Sequence, residues 1–366
     1  MNVKLLDLQA QYLPIRNEIR RAMDEVCDAQ ALILGPTVER FEKTLAEYCG
    51  TRHAIGVSSG TDALLCSLMA MGIQSGDEVI CPAFTFFATA GSIARLGAKP
   101  VFVDIEPQSF NIDPAKVQAA ITKRTRAIMP VHLFGQISKM EGINDLAASH
   151  GLTVIEDAAQ AIGAQRHGKP ACSLGKIGCL SFYPTKNLGA FGDAGAICTN
   201  DDRLAEICRK LRVHGSGHTY HHEFIGGMFR IAALQAAVLN VKMKYLREWH
   251  EARRRNAAMY DALLAGSKIV TPKIDEGNAS IYNQYVVRVP QRDRVKQALA
   301  DRGVATAVYY PIPLHLQECF KYLGYRKGDL PVSERACNEV LALPVHSELR
   351  EEEIRYVAEQ LLAAVA

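Results

Sequence analysis

The chain reads as an α/β protein, with a mostly parallel sheet flanked by helices and then a second, smaller unit. Short β-branched apolar runs bounded by Gly, Pro or Asp alternate with helix-period segments up to about residue 245. Those runs lack the polar alternation of a half-exposed strand, so they predict strands covered on both faces, as parallel sheets require. Beyond that point the pattern changes to one long charged helix, an alternating strand and a terminal helix.

The strands are expected at Ala54–Val57, Glu78–Cys81, Pro100–Ile105, Ala127–Leu133, Leu152–Glu156, Cys179–Phe182 and Ala194–Thr199. Each is short and apolar, the signature of a buried strand. Thr37–Tyr48 reads as a helix because Val38, Phe41, Leu45 and Tyr48 fall on one face. Pro114–Ile121 reads as another, with proline in its first turn. Tyr245–Arg255 is charged and helical and predicts a long connector. Tyr282–Val289 alternates as a strand does, and a helix is expected from about Arg350 onward. The organisation predicted is a large unit over residues 1–245 and a connecting helix with a small unit over 246–366.

Composition excludes several classes. With 48% apolar and 22% charged residues the chain is neither disordered nor fibrous. A net charge of +3, with no dense basic run, argues against nucleic acid and membrane surfaces as partners. No apolar stretch approaches a membrane span and the first residues carry no apolar signal core, so a cytoplasmic protein is expected. The 10 cysteines include no Cys-x-x-Cys pair and read as reduced core thiols. His214, His218, His221 and His222 match no zinc spacing; a mobile loop over the site or an interface is expected there, and no metal.

Ligands of open α/β sheets bind where strands end, and those positions hold the chemistry here. Ser58–Ala63 opens an apolar helix: its N–H groups and the Thr61 hydroxyl suit a phosphate, and Ser59 or Thr61 equally suits an ordinary N-cap. Phe86, in Phe84-Thr-Phe-Phe87, offers a ring for stacking on a flat ligand or for the core. Asp157 ends a strand, where a buried carboxylate needs a cationic or hydrogen-bonding partner; it also suits a cap on the Ala-Ala-Gln-Ala segment that follows. Gln160 lies one turn further on. Lys186, in Ser181-Phe-Tyr-Pro-Thr-Lys-Asn-Leu-Gly189, is an amine delivered into a glycine-bearing turn. A phosphate nest, an aromatic platform, a carboxylate for a ring nitrogen and an amine for a Schiff base together are the parts that hold pyridoxal phosphate.

The chain resembles the DegT/DnrJ/EryC1/StrS family of pyridoxal-phosphate-dependent sugar aminotransferases along nearly its whole length. The resemblance is carried, in order, by Leu5–Tyr12, Ile33–Pro36, Ser58–Leu64, Gly76–Val79, Phe102–Pro107 with Asn111–Pro114, Ile155–Gln160, Ser181–Gly189, Gly192–Gly195, Phe229-Arg230 with Leu234–Ala237, and Tyr309–His315. It implies a fold-type I transferase with a seven-stranded sheet and a smaller C-terminal α+β domain, working as a homodimer with its sites at the subunit interface. It implies Lys186 as the Schiff-base lysine, Asp157 as the pyridine-nitrogen partner and Gln160 as a contact near the ring oxygen. Gly60, Thr61 and Ser181 match phosphate positions, and Phe86 the stacking aromatic. Arg230 matches the arginine that reaches in from the second subunit; Met228 stands where that family usually has Asn, and a thioether cannot replace an amide donor.

The reaction implied moves an amino group from L-glutamate to a keto nucleotide sugar. Lys186 stands where the family's sugar 3-dehydratases carry His, and so favours transamination. Overall similarity points to C3 of a UDP-linked 3-keto-N-acetylglucosamine or its uronate, with a TDP-linked 3-keto-6-deoxyhexose or a 4-keto sugar as the alternative acceptor and a cofactor-binding regulator as a lesser one. Arg230, Tyr309, Tyr310 and His315 are the candidate sugar or diphosphate contacts. A cell-envelope polysaccharide or lipid A precursor is the pathway expected.

Overall fold

A computed structural model describes residues 1–218 and 220–366. Seven strands build the central sheet: β1 (His53–Val57), β2 (Glu78–Pro82), β3 (Lys99–Val103), β4 (Thr125–Ile128), β5 (Thr153–Asp157), β6 (Ile177–Ser181) and β7 (Gly195–Thr199). Their spatial order is β1-β7-β6-β5-β4-β2-β3, and only β7 runs antiparallel to its neighbours. Neighbouring residues of one strand feed opposite faces. Ile80, Val154 and Ala196 join one hydrophobic cluster, with Phe41 and Val238 from covering helices, while Cys81, Ile155 and Ile197 join the other, with Leu64 and Ile93. Such two-sided burial is why the strands carry no polar alternation.

Register explains why the strand ends converge. Val57 at the end of β1 lies opposite Gly195, which also lies opposite Ser181 at the end of β6; Asp157 at the end of β5 is level with Cys179. One edge of the sheet therefore gathers the residues that follow β1, β5 and β6.

Three expectations need correction. The strand expected over Ala127–Leu133 stops at Ile128: Pro130 has no N–H for a ladder, Val131 makes a single bridge to Asp157, and Leu133–Gly135 forms a 3-10 turn with Phe134 at φ 60°. The strand expected over Tyr282–Val289 is confined to Tyr285–Arg288, paired antiparallel with Val340–Leu343. No helix follows Asp157; residues 158–164 form successive turns.

The helix Leu246–Leu264 links two cores. Leu246 and Trp249 pack with the sheet, whereas Ala257, Tyr260 and Leu264 join a separate cluster with Tyr285, Val287, Leu341, Val357 and Leu361. Val3, near the N-terminus, also packs there through a parallel bridge to Val304. All 10 cysteines are free thiols, and among the described residues no helix is long and apolar enough to cross a membrane.

Candidate active site

Ser59 caps the helix as one reading of the sequence expected, and the cup expected to take a phosphate is compatible with that N-cap. Ser59 is extended at the start of the helix Gly60–Ala70, and its Oγ accepts from Asp62 N at 3.0 Å. That leaves the first-turn N–H groups of Gly60 and Thr61 at the positive end of the helix without an intrahelical acceptor. A side chain at Gly60 has no room, because a Cβ there falls 2.6 Å from Ser181 Cβ; one at Gly195 collides with the Ser59 backbone. The fold thus brings Gly60, Thr61 and Ser181 together by the close approach of two backbones, which only glycine permits.

Phe86 sits between β2 and the helix Ala88–Arg95 with its side chain 58% exposed, while Phe84 lies buried among Phe110, Phe134 and Tyr310. An open ring face in a concave setting is what stacking on a ligand needs. Beside it a cavity of about 510 Å³ is lined by Thr61, Phe86, Phe87, Gly91, Arg95 and Tyr322. A larger cavity, about 750 Å³, lies among Arg21, Arg40, Tyr48 and Arg247 and holds none of the expected site residues, so volume alone does not locate the chemistry.

Asp157 is buried at the mouth of the sheet. Its Oδ2 accepts from Thr89 Oγ1 at 2.8 Å and its Oδ1 from Ala159 N at 3.2 Å, a local turn contact in place of the helix cap considered from sequence. Burial pushes its pKa up, and Thr89, Ala159, Lys186 and His132 oppose that shift. Lys186 shows the converse: burial pushes its amine down to about 8, against the attraction of Asp157. The acid and the amine therefore act on each other across one site. An ordinary surface lysine would be almost wholly protonated at neutral pH; this one keeps a usable neutral fraction.

The turn carrying Lys186 is fixed at several points. Lys186 N donates to Tyr183 O, Ala190 N to Phe182 O, and Asn187 Nδ2 to Ile281 O at 3.0 Å. Lys242, buried, donates from Nζ to Gly189 O at 2.7 Å and lies over the Phe191 ring. Burial lowers its pKa to about 8 as well. Sequence reasoning missed Lys242, although a single lysine ending the run Ala-Ala-Val-Leu-Asn-Val-Lys242 was a signal. It also missed His132 and Glu156, both fully buried and 2.9 Å apart; Glu156 gathers the N–H groups of Cys172, Leu174 and Gly175 on the sheet face opposite Asp157.

Gln160 Oε1 accepts from Phe134 N and its Nε2 donates to the Tyr310 hydroxyl at 3.0 Å, which joins the Asp157 loop to residues 309–315. Arg230 bridges Val57, and Phe229 O accepts from Ser58 N, so this segment runs along the phosphate cup. Among the described residues the Arg230 side chain has no ion pair or hydrogen bond. Met228 is 65% exposed. The His315 ring is fully buried and its Nε2 meets Glu334 Oε1 at 3.1 Å, a contact that braces its segment from within. Ser216–His218 pairs antiparallel with His221–His222, and His222 Nδ1 meets His214 O; Thr219 lies outside the described residues. Among the described residues no group of His, Cys, Asp and Glu is arranged to hold a metal.

These groups fit pyridoxal phosphate: free N–H groups and hydroxyls for the phosphate, an open ring face, a buried carboxylate with acceptor capacity left, and an amine of depressed pKa. Relationships to known proteins agree. Residues 14–362 match the DegT/DnrJ/EryC1/StrS aminotransferase family. A "Pleiotropic regulatory protein" of Geobacillus stearothermophilus is 52% identical, covering 99% of this chain and 98% of its own. The UDP-2-acetamido-2-deoxy-3-oxo-D-glucuronate aminotransferase of Pseudomonas aeruginosa is 43% identical over 98% and 99% of the two chains. The dTDP-3-amino-3,4,6-trideoxy-alpha-D-glucose transaminase of Streptomyces venezuelae is 41% identical over 94% and 91%. The crystal structure of S. venezuelae DesV superposes with a TM-score of 0.97 at 40% identity, covering 99% and 98%. The chain therefore belongs to the DegT/DnrJ/EryC1/StrS aminotransferase family and is a pyridoxal-phosphate-dependent sugar transaminase.

Proposed function

We propose that this protein transfers the amino group of L-glutamate to C3 of a keto nucleotide sugar, with UDP-3-keto-N-acetylglucosamine or its uronate as the leading acceptor. The observation that carries the reading is the Lys186 amine, lowered to about 8 and facing the buried Asp157 carboxylate. The Pseudomonas aeruginosa relative is named for a 3-oxo sugar, which supports C3 and the UDP-linked acceptor. The Streptomyces venezuelae relative is named for a dTDP sugar and supports the second reading, a TDP-linked 3-keto-6-deoxyhexose. A regulator without chemistry matches the name of the Geobacillus relative, but it would need neither a desolvated amine nor its carboxylate partner.

Bound pyridoxal phosphate supplies a carbonyl that takes up an amino group and a ring that accepts the electrons left when a proton departs. Lys186 Nζ would serve as base and then acid for the proton of the donor α-carbon; its pKa near 8 suits both directions. Asp157, as carboxylate, would keep the ring nitrogen protonated. Gly60, Thr61 and Ser181 would hold the phosphate, Phe86 would offer its face to the ring, and Gln160 would lie near the ring oxygen. Tyr309 and Tyr310 face the sugar. The homodimer supplies Arg230 of the partner subunit, whose guanidinium suits a diphosphate or carboxylate.

The test is the absorbance of purified protein before and after L-glutamate, for wild type and Lys186→Ala. Loss of the visible cofactor band with growth of a near-ultraviolet band in wild type alone supports transamination. Retained cofactor that ignores glutamate in wild type contradicts it and favours the regulator.

A further inference from the structure

We propose that Thr89 is a positioning residue for Asp157, and that the Thr85–Thr89 hydroxyl pair keeps this carboxylate ionised and correctly turned toward the cofactor ring. The proposal rests on the reading of Asp157 as the ring-nitrogen partner.

Thr85, Phe86 and Thr89 lie within one turn of chain at the start of the helix Ala88–Arg95. Both threonines are buried, and of the two phenylalanines between them Phe86 is the more exposed. Thr89 Oγ1 donates to Asp157 Oδ2 at 2.8 Å and stands 3.1 Å from Thr85 Oγ1. A threonine hydroxyl has one proton; with that proton committed to Asp157, the contact with Thr85 is closed by the Thr85 hydroxyl donating to Thr89. The chain of donation thus ends on the carboxylate. The remaining contact, Ala159 N to Oδ1, is longer at 3.2 Å.

The other titratable groups that share the electrostatic surroundings of Asp157 are Lys186 after β6, Cys81 on β2, Cys179 on β6, Tyr310 from residues 309–315 and, from the far face through Glu156, His132 after β4. Among the described residues none of them donates a hydrogen bond to its carboxylate. Among the described residues Thr89 is therefore the only side chain that donates a hydrogen bond to this acid, and a donor to the charged form opposes the rise in pKa that burial causes. Because Phe86 sits between the two threonines, the same helical turn sets both the face on which the ring rests and the acid that meets its nitrogen.

The experiment measures pyridoxal phosphate affinity by equilibrium dialysis between pH 5 and 9 for wild type, Thr89→Val, Thr89→Ser, Thr85→Val and Asp157→Asn. Thermal melting of each cofactor-free protein serves as the control for folding. Thr89→Val keeps the shape and removes the donor: affinity is expected to fall about tenfold at neutral pH. The acid-side loss of affinity should also move to higher pH, because a carboxylate without its donor takes up a proton sooner. Thr89→Ser should return to within about threefold of wild type, and Thr85→Val should weaken binding by only about two- to threefold. A merely structural role would lower melting without moving the pH profile. Thr89→Val binding as wild type at every pH, or Thr89→Ser binding as poorly as Thr89→Val, would overturn the proposal while Asp157→Asn binds weakly. Should Asp157→Asn itself bind as wild type, the role of Asp157 fails first, and Thr89 with it.

Discussion

Around Asp157 and Lys186 the polar groups are engaged inside the chain: Thr89 on the acid, Lys242 and Asn187 on the turn that carries the amine, Gln160 on Tyr310. Along residues 226–230 and at Tyr309 the reverse holds. Among the described residues the side chains of Arg230 and Tyr309 make no hydrogen bond or ion pair, and Met228 and Ile225 stand exposed. The first region is preorganised by its own fold and is suited to chemistry that must not vary. The second leaves these groups without hydrogen-bonding partners of the chain's own, and under the proposed function they would meet a sugar nucleotide or a second copy.

The largest expected effect breaks the preorganised side. Lys186→Ala should lower the rate of amino transfer by about 10⁴-fold, measured as single turnovers with glutamate, since base and nucleophile are lost together. With the amine pKa near 8, the wild-type rate for this step should rise as pH increases toward 8, when free amine accumulates, and level off above it. Gly60→Ala should weaken cofactor binding about tenfold or more, because its Cβ must displace Ser181; dialysis against free cofactor measures this. On the open side, Arg230→Ala should retain the glutamate half-reaction and raise KM for the nucleotide sugar about tenfold. His315→Ala separates packing from contact: it should cost about 2 kcal/mol of stability by removing a buried ring and its hydrogen bond to Glu334, read by denaturant titration, with little change in KM. Met228→Asn should be smallest, improving cofactor affinity by no more than about threefold, within the range of one exposed hydrogen bond.

The sheet was legible because buried strands of four or five residues leave continuous apolar runs, and because Gly, Pro and Asp mark their ends. The end of β4 was not, since Pro130 interrupts an apolar run that composition alone extends. Lys186 and Asp157 stood out as strand-end chemistry. Thr89 and Lys242 did not, because their meaning comes from contacts across long stretches of chain: Thr89 to Asp157, and Lys242 to Gly189. The buried setting of His315 was not legible for a related reason: Glu334, which meets its ring, lies on the separate helix Pro331–Glu339.

The most direct measurement supplies ¹⁵N-labelled L-glutamate and a UDP-linked 3-keto-N-acetylglucosamine or its uronate to the purified enzyme, with TDP-linked 3-keto and 4-keto sugars in parallel, and locates the label by NMR. Label on C3 of the UDP sugar, absent with Lys186→Ala, is the result predicted. Label on C4, or unlabelled sugar in every case despite bound cofactor, would contradict it.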